Sequence, residues 1–96
     1  MNARWNQTFE WDADKASRNL RKHGISFEEA LTAFADSLSM TVPDPDSEAE
    51  ERFLLLGLSL RARLLVVVHA ERSDNIRIIS ARPATRQERR RYEEER

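Results

Sequence analysis

The fold of this 96-residue chain is decided by residues 64–82, which read LLVVVHAERSDNIRIISAR. The run opens with five consecutive aliphatic residues, three of them valines, a composition typical of a strand that is buried on both faces. Residues 73–75, Ser-Asp-Asn, supply turn chemistry. The alternation that follows predicts Ile76, Ile78 and Ser80 on one face and Arg77, Ile79 and Ala81 on the other. The stretch is therefore predicted as a β-hairpin.

The N-terminal third predicts a short strand and two helices. Phe9–Trp11 is aromatic and alternating, which indicates an edge strand. Asp12 is an N-cap for a helix that ends at about His23, with Gly24 at the C′ position. The apolar stripe of this helix is predicted at Ala13, Ala16 and Leu20. A second helix follows the Ser26/Glu29 capping box and places Phe27, Ala30, Leu31 and Phe34 on one face.

The remaining elements complete an α+β domain over residues 1–96. Strands are predicted at Leu38–Val42 and at Phe53–Leu60, with Gly57 as a possible bulge and an acidic loop between them. A last helix, capped by Thr85 and Glu88, runs to about Glu94 and is polar nearly all round. We expect a short β segment, two N-terminal helices packed on a four-stranded antiparallel sheet, and a C-terminal helix.

The net charge of −1 hides an uneven distribution. Residues 28–52 contain eight acids and one base, whereas residues 77–96 contain seven arginines and four glutamates. Such asymmetry marks either an acidic-partner or nucleic-acid face, or ordinary surface charge. The absence of cysteine excludes disulfides and thiolate metal sites. This composition fits a reducing cytoplasm, which is the location we expect. No apolar run approaches the roughly 20 residues of a membrane span.

Several side chains on and around the hairpin could carry chemistry. His69 is either a core histidine or a general acid–base, and Glu71 is either its orienting group or a solvated strand end. Arg77 and Arg82 could hold an RNA phosphate, or form ion pairs such as Arg77 with Glu71. Lys22 and His23 could join them or merely compensate the helix dipole. Arginines 86, 89, 90 and 91 could bind phosphates non-specifically or form a solvated face.

The chain lacks the sequence motifs that are typical of many enzyme classes. It contains no phosphate-binding glycine loop, no His-x-x-x-His pair and no nucleophile elbow. RNA cleavage by the internal 2′-hydroxyl needs only a base, an acid and cations around one phosphate. The residue types for that reaction are present, and no metal or other cofactor is expected.

Five sequence blocks resemble the BrnT family of toxins. They are FEWD at 9–12, NLRKHGISFEEA at 19–30, EERF at 50–53 after the acidic loop, LLVVVHAER at 64–72 and IRIISARPATRQERRRYE at 76–93. The blocks cover nearly the whole chain, in order and with short spacings. One departure is Pro83, where family members often carry a basic residue, so any RNA contact that relatives make through that residue is absent here.

The resemblance implies a RelE-like fold and a ribonuclease toxin of a type II toxin–antitoxin system that arrests translation without a metal. The implied partner is a BrnA-type ribbon-helix-helix antitoxin, in a heterotetramer of two toxins and two antitoxins. Only that complex would bind operator DNA and repress transcription. The alternative is a non-catalytic module of the same fold that occupies the antitoxin or a ribosomal site, and a third possibility is a structural adaptor whose last helix docks on a partner.

Site residues follow from the resemblance together with the charge pattern. The expected catalytic residues are His69 or Glu71 as base, Arg77 and Arg82 on the scissile phosphate, and Lys22 as a supporting cation. The expected RNA-binding residues are His23, Arg72, Arg86, Arg89 and Tyr92. A basic antitoxin segment would complement the acidic loop, so the expected antitoxin-binding residues are Asp44, Asp46, Glu48 and Glu50.

Overall fold

The structure, a computed structural model, describes residues 8–94 and contains one five-stranded sheet with three helices. The strands are β1 (Thr8–Glu10), β2 (Met40–Pro43), β3 (Phe53–Leu58), β4 (Leu64–Arg72) and β5 (Asn75–Pro83); the helices are α1 (Ala13–His23), α2 (Phe27–Thr32) and α3 (Arg86–Glu94), and a 3₁₀ turn, Ala33–Ala35, follows α2. The strand order is β1-β5-β4-β3-β2. The predicted antiparallel meander is right for β2–β5, but β1 joins the same sheet in parallel to β5, which makes the sheet mixed.

The β4–β5 hairpin has the predicted turn but not the predicted alternation. Ser73, with φ of 56°, and Asp74 connect the strands. Val68 pairs with Ser80 and His69 pairs with Ile78, so Ile79 is the extra residue of a β-bulge. The bulge shifts the alternation of side chains between the two faces of the sheet for the residues that follow it. Ile76, Ile78 and Ala81 therefore point to one face, and Arg77, Ser80 and Arg82 point to the other.

The face that carries Ile76 and Ile78, here called the inner face, is covered by α1 and α2. Its core is formed by aliphatic and aromatic residues of both layers: Ile25, Phe27, Ala30, Ala33, Phe34, Leu55, Leu65, Val67, Ile76, Ile78 and Ala81. Gly57 pairs regularly with Leu65, so the predicted bulge at Gly57 is wrong. A Cβ there would lie 2.8 Å from the carbonyl oxygen of Ala33, so glycine permits the 3₁₀ turn to approach the sheet.

Helix α1 begins and ends as predicted but faces the sheet differently. The Asp12 carboxylate accepts the Lys15 amide at 2.9 Å, and Gly24 adopts φ of 73°. The predicted apolar stripe is wrong at Leu20, which is 50% exposed, whereas Asn19 is buried. The helix therefore contacts the sheet edge through a polar side chain.

Helix α2 is joined to the β3–β4 turn by its capping-box glutamate. The Ser26 hydroxyl accepts the Glu29 amide at 3.0 Å, as predicted. The Glu29 carboxylate does not complete the box; it accepts hydrogen bonds from the Ser59 hydroxyl at 2.7 Å and the Arg63 Nε at 2.9 Å. The bonds from Arg63, against the cost of burial, lower the pKa of Glu29.

Helix α3 lies on the opposite, outer face of the sheet. Tyr92 is 7% exposed and packs with Leu56, Leu64 and Val66, and its hydroxyl donates to Asp36 at 2.7 Å. The predicted Thr85/Glu88 capping box forms in both directions. No helix among residues 8–94 is long and apolar enough to span a bilayer.

Candidate RNA-binding site

A basic concavity lies between α1 and the end of β5. It has a volume of about 290 Å³ and is lined by Lys15, Arg18, Asn19, Lys22, His23, Ile79 and Ser80. We call it the α1 cleft. The spacing of residues 15, 18 and 22 on one helix places these three cations on the same side. Among residues 8–94, no carboxylate lies within ion-pair distance of Lys15, Arg18 or Lys22.

The cleft exists because β1 covers only the first part of β5. β1 pairs with residues 75–77, and no other strand within residues 8–94 pairs with the later part of this edge of β5. Asn19 occupies that edge instead: its Oδ1 accepts the Ala81 amide at 3.1 Å, and its Nδ2 donates to the Ala81 carbonyl at 2.9 Å. The same amide nitrogen donates to the Ile25 carbonyl at 2.9 Å. One buried side chain thus fixes the distance between α1 and β5.

Two predicted arginines, Arg77 and Arg82, lie on the outer face of β5. Ser80 lines the cleft, and Arg82 is the next residue of β5 on the same face, about 7 Å further along the strand. Lys22 and His23 line the cleft, whereas Arg82 follows Ser80 along β5 and is not part of the lining. A shared site of Lys22, His23 and Arg82 stays a prediction. Arg77 lies on the same face beyond the bulge.

Both of these arginines are held by carboxylates. Arg82 forms a bidentate pair with Glu88, with both N–O distances at 2.9 Å. These bonds lower the pKa of Glu88 to about 2 and raise the pKa of Arg82. Arg77 pairs with Glu50 of the acidic loop. The ion-pair alternative for Arg77 is therefore found with Glu50, and Glu71 is wrong as its partner, because Arg77 faces Ala70 across the strands while Glu71 points to the inner face.

The predicted base candidates lie on the inner face, away from the arginines. His69 is 0% exposed and contacts the rings of Phe34 and Phe53 at centroid distances of 4.9 and 5.9 Å. Its Nε2 lies 3.7 Å from the Glu71 carboxylate, whose side chain is exposed at the strand end. Burial prevents a substrate from reaching His69 in this structure, which argues against its predicted role as base.

The other predicted RNA-binding residues do not lie in the α1 cleft. Arg72 is exposed at the hairpin turn, and Arg86 and Arg89 are exposed on α3. Tyr92 is buried against the sheet, so its ring is not available to stack on an RNA base. No three His, Asp or Glu side chains in the described part of the chain are grouped as a metal site.

Two of the four predicted acidic-loop residues form side-chain contacts within the protein. Asp44 is buried; it caps the Asp46 amide at 2.9 Å and lies 3.5 Å from the Arg52 guanidinium. Glu50 is held by Arg77. Asp46 and Glu48 are the two predicted antitoxin contacts that are exposed and form no ion pair among the described residues.

Comparison with known proteins identifies the family of this chain. Residues 11–88 match the model of the family described as the ribonuclease toxin BrnT of a type II toxin–antitoxin system. This chain belongs to the BrnT family. The match includes α1, the whole sheet except β1, and the beginning of α3 through Glu88. The family implies an antitoxin partner.

The BrnT fold is also found in a solved structure. The crystal structure of the Brucella abortus ribonuclease toxin BrnT superposes with a TM-score of 0.58 at 23% sequence identity, over 83% of this chain and 99% of that one. No curated protein sequence matches the chain. The structural likeness shows that the mixed sheet and the three helices have a fold similar to that of this toxin.

Sequence reasoning missed Lys15, Arg18 and Asn19 as residues of the α1 cleft. Lys15 and Arg18 were visible only as the polar side of a helix, because nothing in the sequence indicates which edge of the sheet that side meets. Asn19 carried a weak signal: asparagine has low helix propensity and sits here in the interior of a helix.

Proposed function

We propose that this BrnT-family chain is a metal-independent endoribonuclease that binds RNA in the α1 cleft and arrests translation. The observation that supports this most directly is the set of cations in the cleft. Lys15, Arg18 and Lys22 share one concavity and have no carboxylate partner among residues 8–94. Such a cluster of cations attracts phosphates, because no neighbouring carboxylate cancels its positive field.

The chemistry that suits this cleft is attack by the 2′-hydroxyl on the adjacent phosphorus. The 2′ oxygen forms the new P–O bond, and the bond from phosphorus to the 5′ oxygen breaks. His23 takes the proton of the 2′-hydroxyl, because histidine is the residue type in this cleft that most often serves as a general base. Lys22 supplies the proton that the leaving 5′ oxygen requires. The products are a 2′,3′-cyclic phosphate and a 5′-hydroxyl.

The remaining cations stabilise the charge that develops on the phosphate. Arg18 and Lys15 line the same concavity. Arg82 stands beside Ser80 on the outer face and directs its guanidinium to Glu88, so it contributes to the phosphate site only if that pair opens. Fixed donors at a developing oxyanion contribute on the order of 3–4 kcal/mol each to lowering the barrier. Glu71 and Arg77 lie further from this cleft and are assigned no proton transfer in the proposal.

The partner in the proposal is a BrnA-type ribbon-helix-helix antitoxin, in a complex of two toxins and two antitoxins. The complex, and not this chain alone, binds operator DNA. The protein acts in the cytoplasm, where RNA and the antitoxin are present. Asp46 and Glu48 are the acidic-loop residues available for the antitoxin.

The nuclease is tested by incubating the purified protein with a uniform-length RNA in excess EDTA and identifying the fragment ends. Cleavage that continues in EDTA, with 2′,3′-cyclic phosphate and 5′-hydroxyl ends, supports the proposal. Cleavage abolished by EDTA and restored by Mg²⁺ would overturn metal independence. A folded protein that binds its antitoxin but cuts no RNA would favour the non-catalytic module.

A further inference from the structure

A second concave surface lies on the outer face of the sheet, and nothing in the proposed nuclease uses it. It has a volume of about 110 Å³ and is lined by Met40, Val42, Leu54, Leu56, Val66, Glu88 and Arg91. We call it the β2–β3 groove. Its floor is aliphatic, and α3 forms one wall. Sites for small molecules commonly have volumes of about 300–1,000 Å³, so this groove suits single side chains of a partner better than a free ligand.

The apolar surface continues beyond the groove toward the end of the sheet. Leu58 follows Leu54 and Leu56 on the same side of β3 and is 40% exposed. Leu38 is 45% exposed, and its backbone lies near that of Leu58, because the amides of both residues donate to the Asp36 carboxylate at 2.9 Å. Contiguous exposed aliphatic side chains beside a groove are typical of a protein–protein contact.

The wall of the groove determines the charge of what it can bind. Glu88 is already neutralised by Arg82. Arg91 lines the groove and has no carboxylate within ion-pair distance among residues 8–94. Arg86, Arg89 and Arg90 are exposed on the same helix and add to its positive field. The groove therefore favours a segment that combines aliphatic side chains with a carboxylate.

We infer that the β2–β3 groove is an anchoring site for the antitoxin, through an apolar segment that carries at least one acidic residue. The inference rests on the partner that the family and the proposed function give this chain. β2 is the edge strand of the sheet, so the groove lies at an accessible rim and not beneath another strand. An aliphatic side chain fills the floor, and a neighbouring carboxylate pairs with Arg91.

The groove is distinct from the acidic loop that the sequence indicated as antitoxin-binding. The loop would attract a basic segment, whereas the groove attracts an acidic and apolar one. In typical interfaces a few side chains that are buried in well-packed pockets carry most of the affinity, while exposed charges at the rim contribute little. We therefore place the anchor in the groove.

The test measures the affinity of the full-length chain for the antitoxin encoded beside it, by isothermal titration calorimetry. Val42→Glu places a charge in the apolar floor, and Thr41→Glu places the same charge on the adjacent exposed residue of β2. We expect Val42→Glu to weaken binding about 30-fold or more, and Thr41→Glu to change it less than about threefold. Circular dichroism and thermal unfolding verify that both variants are folded.

A charge-reversal pair tests the second part of the inference. Arg91→Glu should weaken binding about tenfold, whereas Arg90→Glu, which is outside the groove on the same helix, should change it less than about threefold. RNA cleavage is measured on the same samples and should be unchanged in Val42→Glu. Wild-type affinity in Val42→Glu would overturn the inference. Wild-type cleavage of RNA with no antitoxin binding at all would overturn the partner and the groove while leaving the nuclease standing.

Discussion

At the scale of single residues, the side-chain amide of Asn19 sets the position of the α1 cations relative to β5. It makes three hydrogen bonds, two to Ala81 of β5 and one to Ile25. Loss of this side chain leaves the Ala81 amide and two carbonyls without these partners at a site where water is largely excluded. A buried polar group without a partner costs on the order of 1–3 kcal/mol.

Asn19→Ala should therefore lower the free energy of unfolding by about 2–4 kcal/mol, measured by urea denaturation. Leu20→Ala is the matched control on the same helix, because Leu20 is 50% exposed and should lose less than about 1 kcal/mol. The opposite ranking of the two variants would show that the sequence-based stripe describes α1 better than the structure does.

The two histidines provide the second test at this scale. His23 lines the α1 cleft, and His69 is enclosed by Phe34 and Phe53. His23→Gln should slow RNA cleavage about 100-fold or more without changing the unfolding free energy by more than about 0.5 kcal/mol, as removal of an acid–base group does. His69→Gln should destabilise the protein by about 1–3 kcal/mol and leave the cleavage rate of the folded fraction within about threefold.

If folded His69→Gln loses RNA cleavage and His23→Gln retains it, the catalytic histidine is His69 on the β4–β5 hairpin and not His23 in the α1 cleft. The sequence could not separate the two histidines, because burial depends on what packs over a strand. Phe34 reaches His69 from a different part of the chain, 35 positions earlier. A histidine that follows an aliphatic run is compatible with either role.

At the scale of elements, local chemistry was sufficient to predict helix ends. The caps at Asp12, Gly24 and Ser26 and the Thr85/Glu88 box were all visible as short sequence signals. The bulge at Ile79 was not, since a bulge is a property of two paired strands and depends on the register between them. That single extra residue moved Ser80 to the outer face and beside α1.

Helix α3 has a pH-dependent attachment to the sheet. Arg82 holds the pKa of Glu88 at about 2 in the folded protein, below the ordinary 4.5. A depressed carboxyl pKa gives stability that is complete above the unfolded value and is lost as the pH falls through the folded one. Because the pair is partly exposed, we expect a contribution of about 1–2 kcal/mol after solvent screening.

We expect α3 to loosen between about pH 4.5 and 2. Tyr92 is the single tyrosine of the chain, so 3-fluorotyrosine labelling reports on α3 by ¹⁹F NMR. Its signal should shift toward that of an exposed ring over this range in the wild type. Glu88→Gln should show the looser signal already at neutral pH. An unchanged signal to pH 2, or equal behaviour of the two proteins, would contradict the role of the Arg82–Glu88 pair.

At the scale of the whole molecule, the sheet separates two kinds of surface. The α1 cleft at the open edge of β5 is basic, and the β2–β3 groove at the other edge is mainly apolar. The sequence indicated the basic ends of the chain and the strand order of the meander. It could not indicate that β1 pairs in parallel with β5 and stops at Glu10, because pairing between distant segments has no local signal. That short strand leaves the edge on which the cleft forms.

The most direct measurement is the rate of RNA cleavage after two charges are removed from the cleft. Arg18→Gln/Lys22→Gln is compared with Arg90→Gln/Arg91→Gln on α3, which changes the net charge equally. Both are assayed in EDTA and verified as folded. We predict a loss of about 100-fold or more in the cleft variant and less than about threefold in the α3 variant. Equal losses in both, or a loss confined to α3, would contradict the assignment of the α1 cleft as the RNA site.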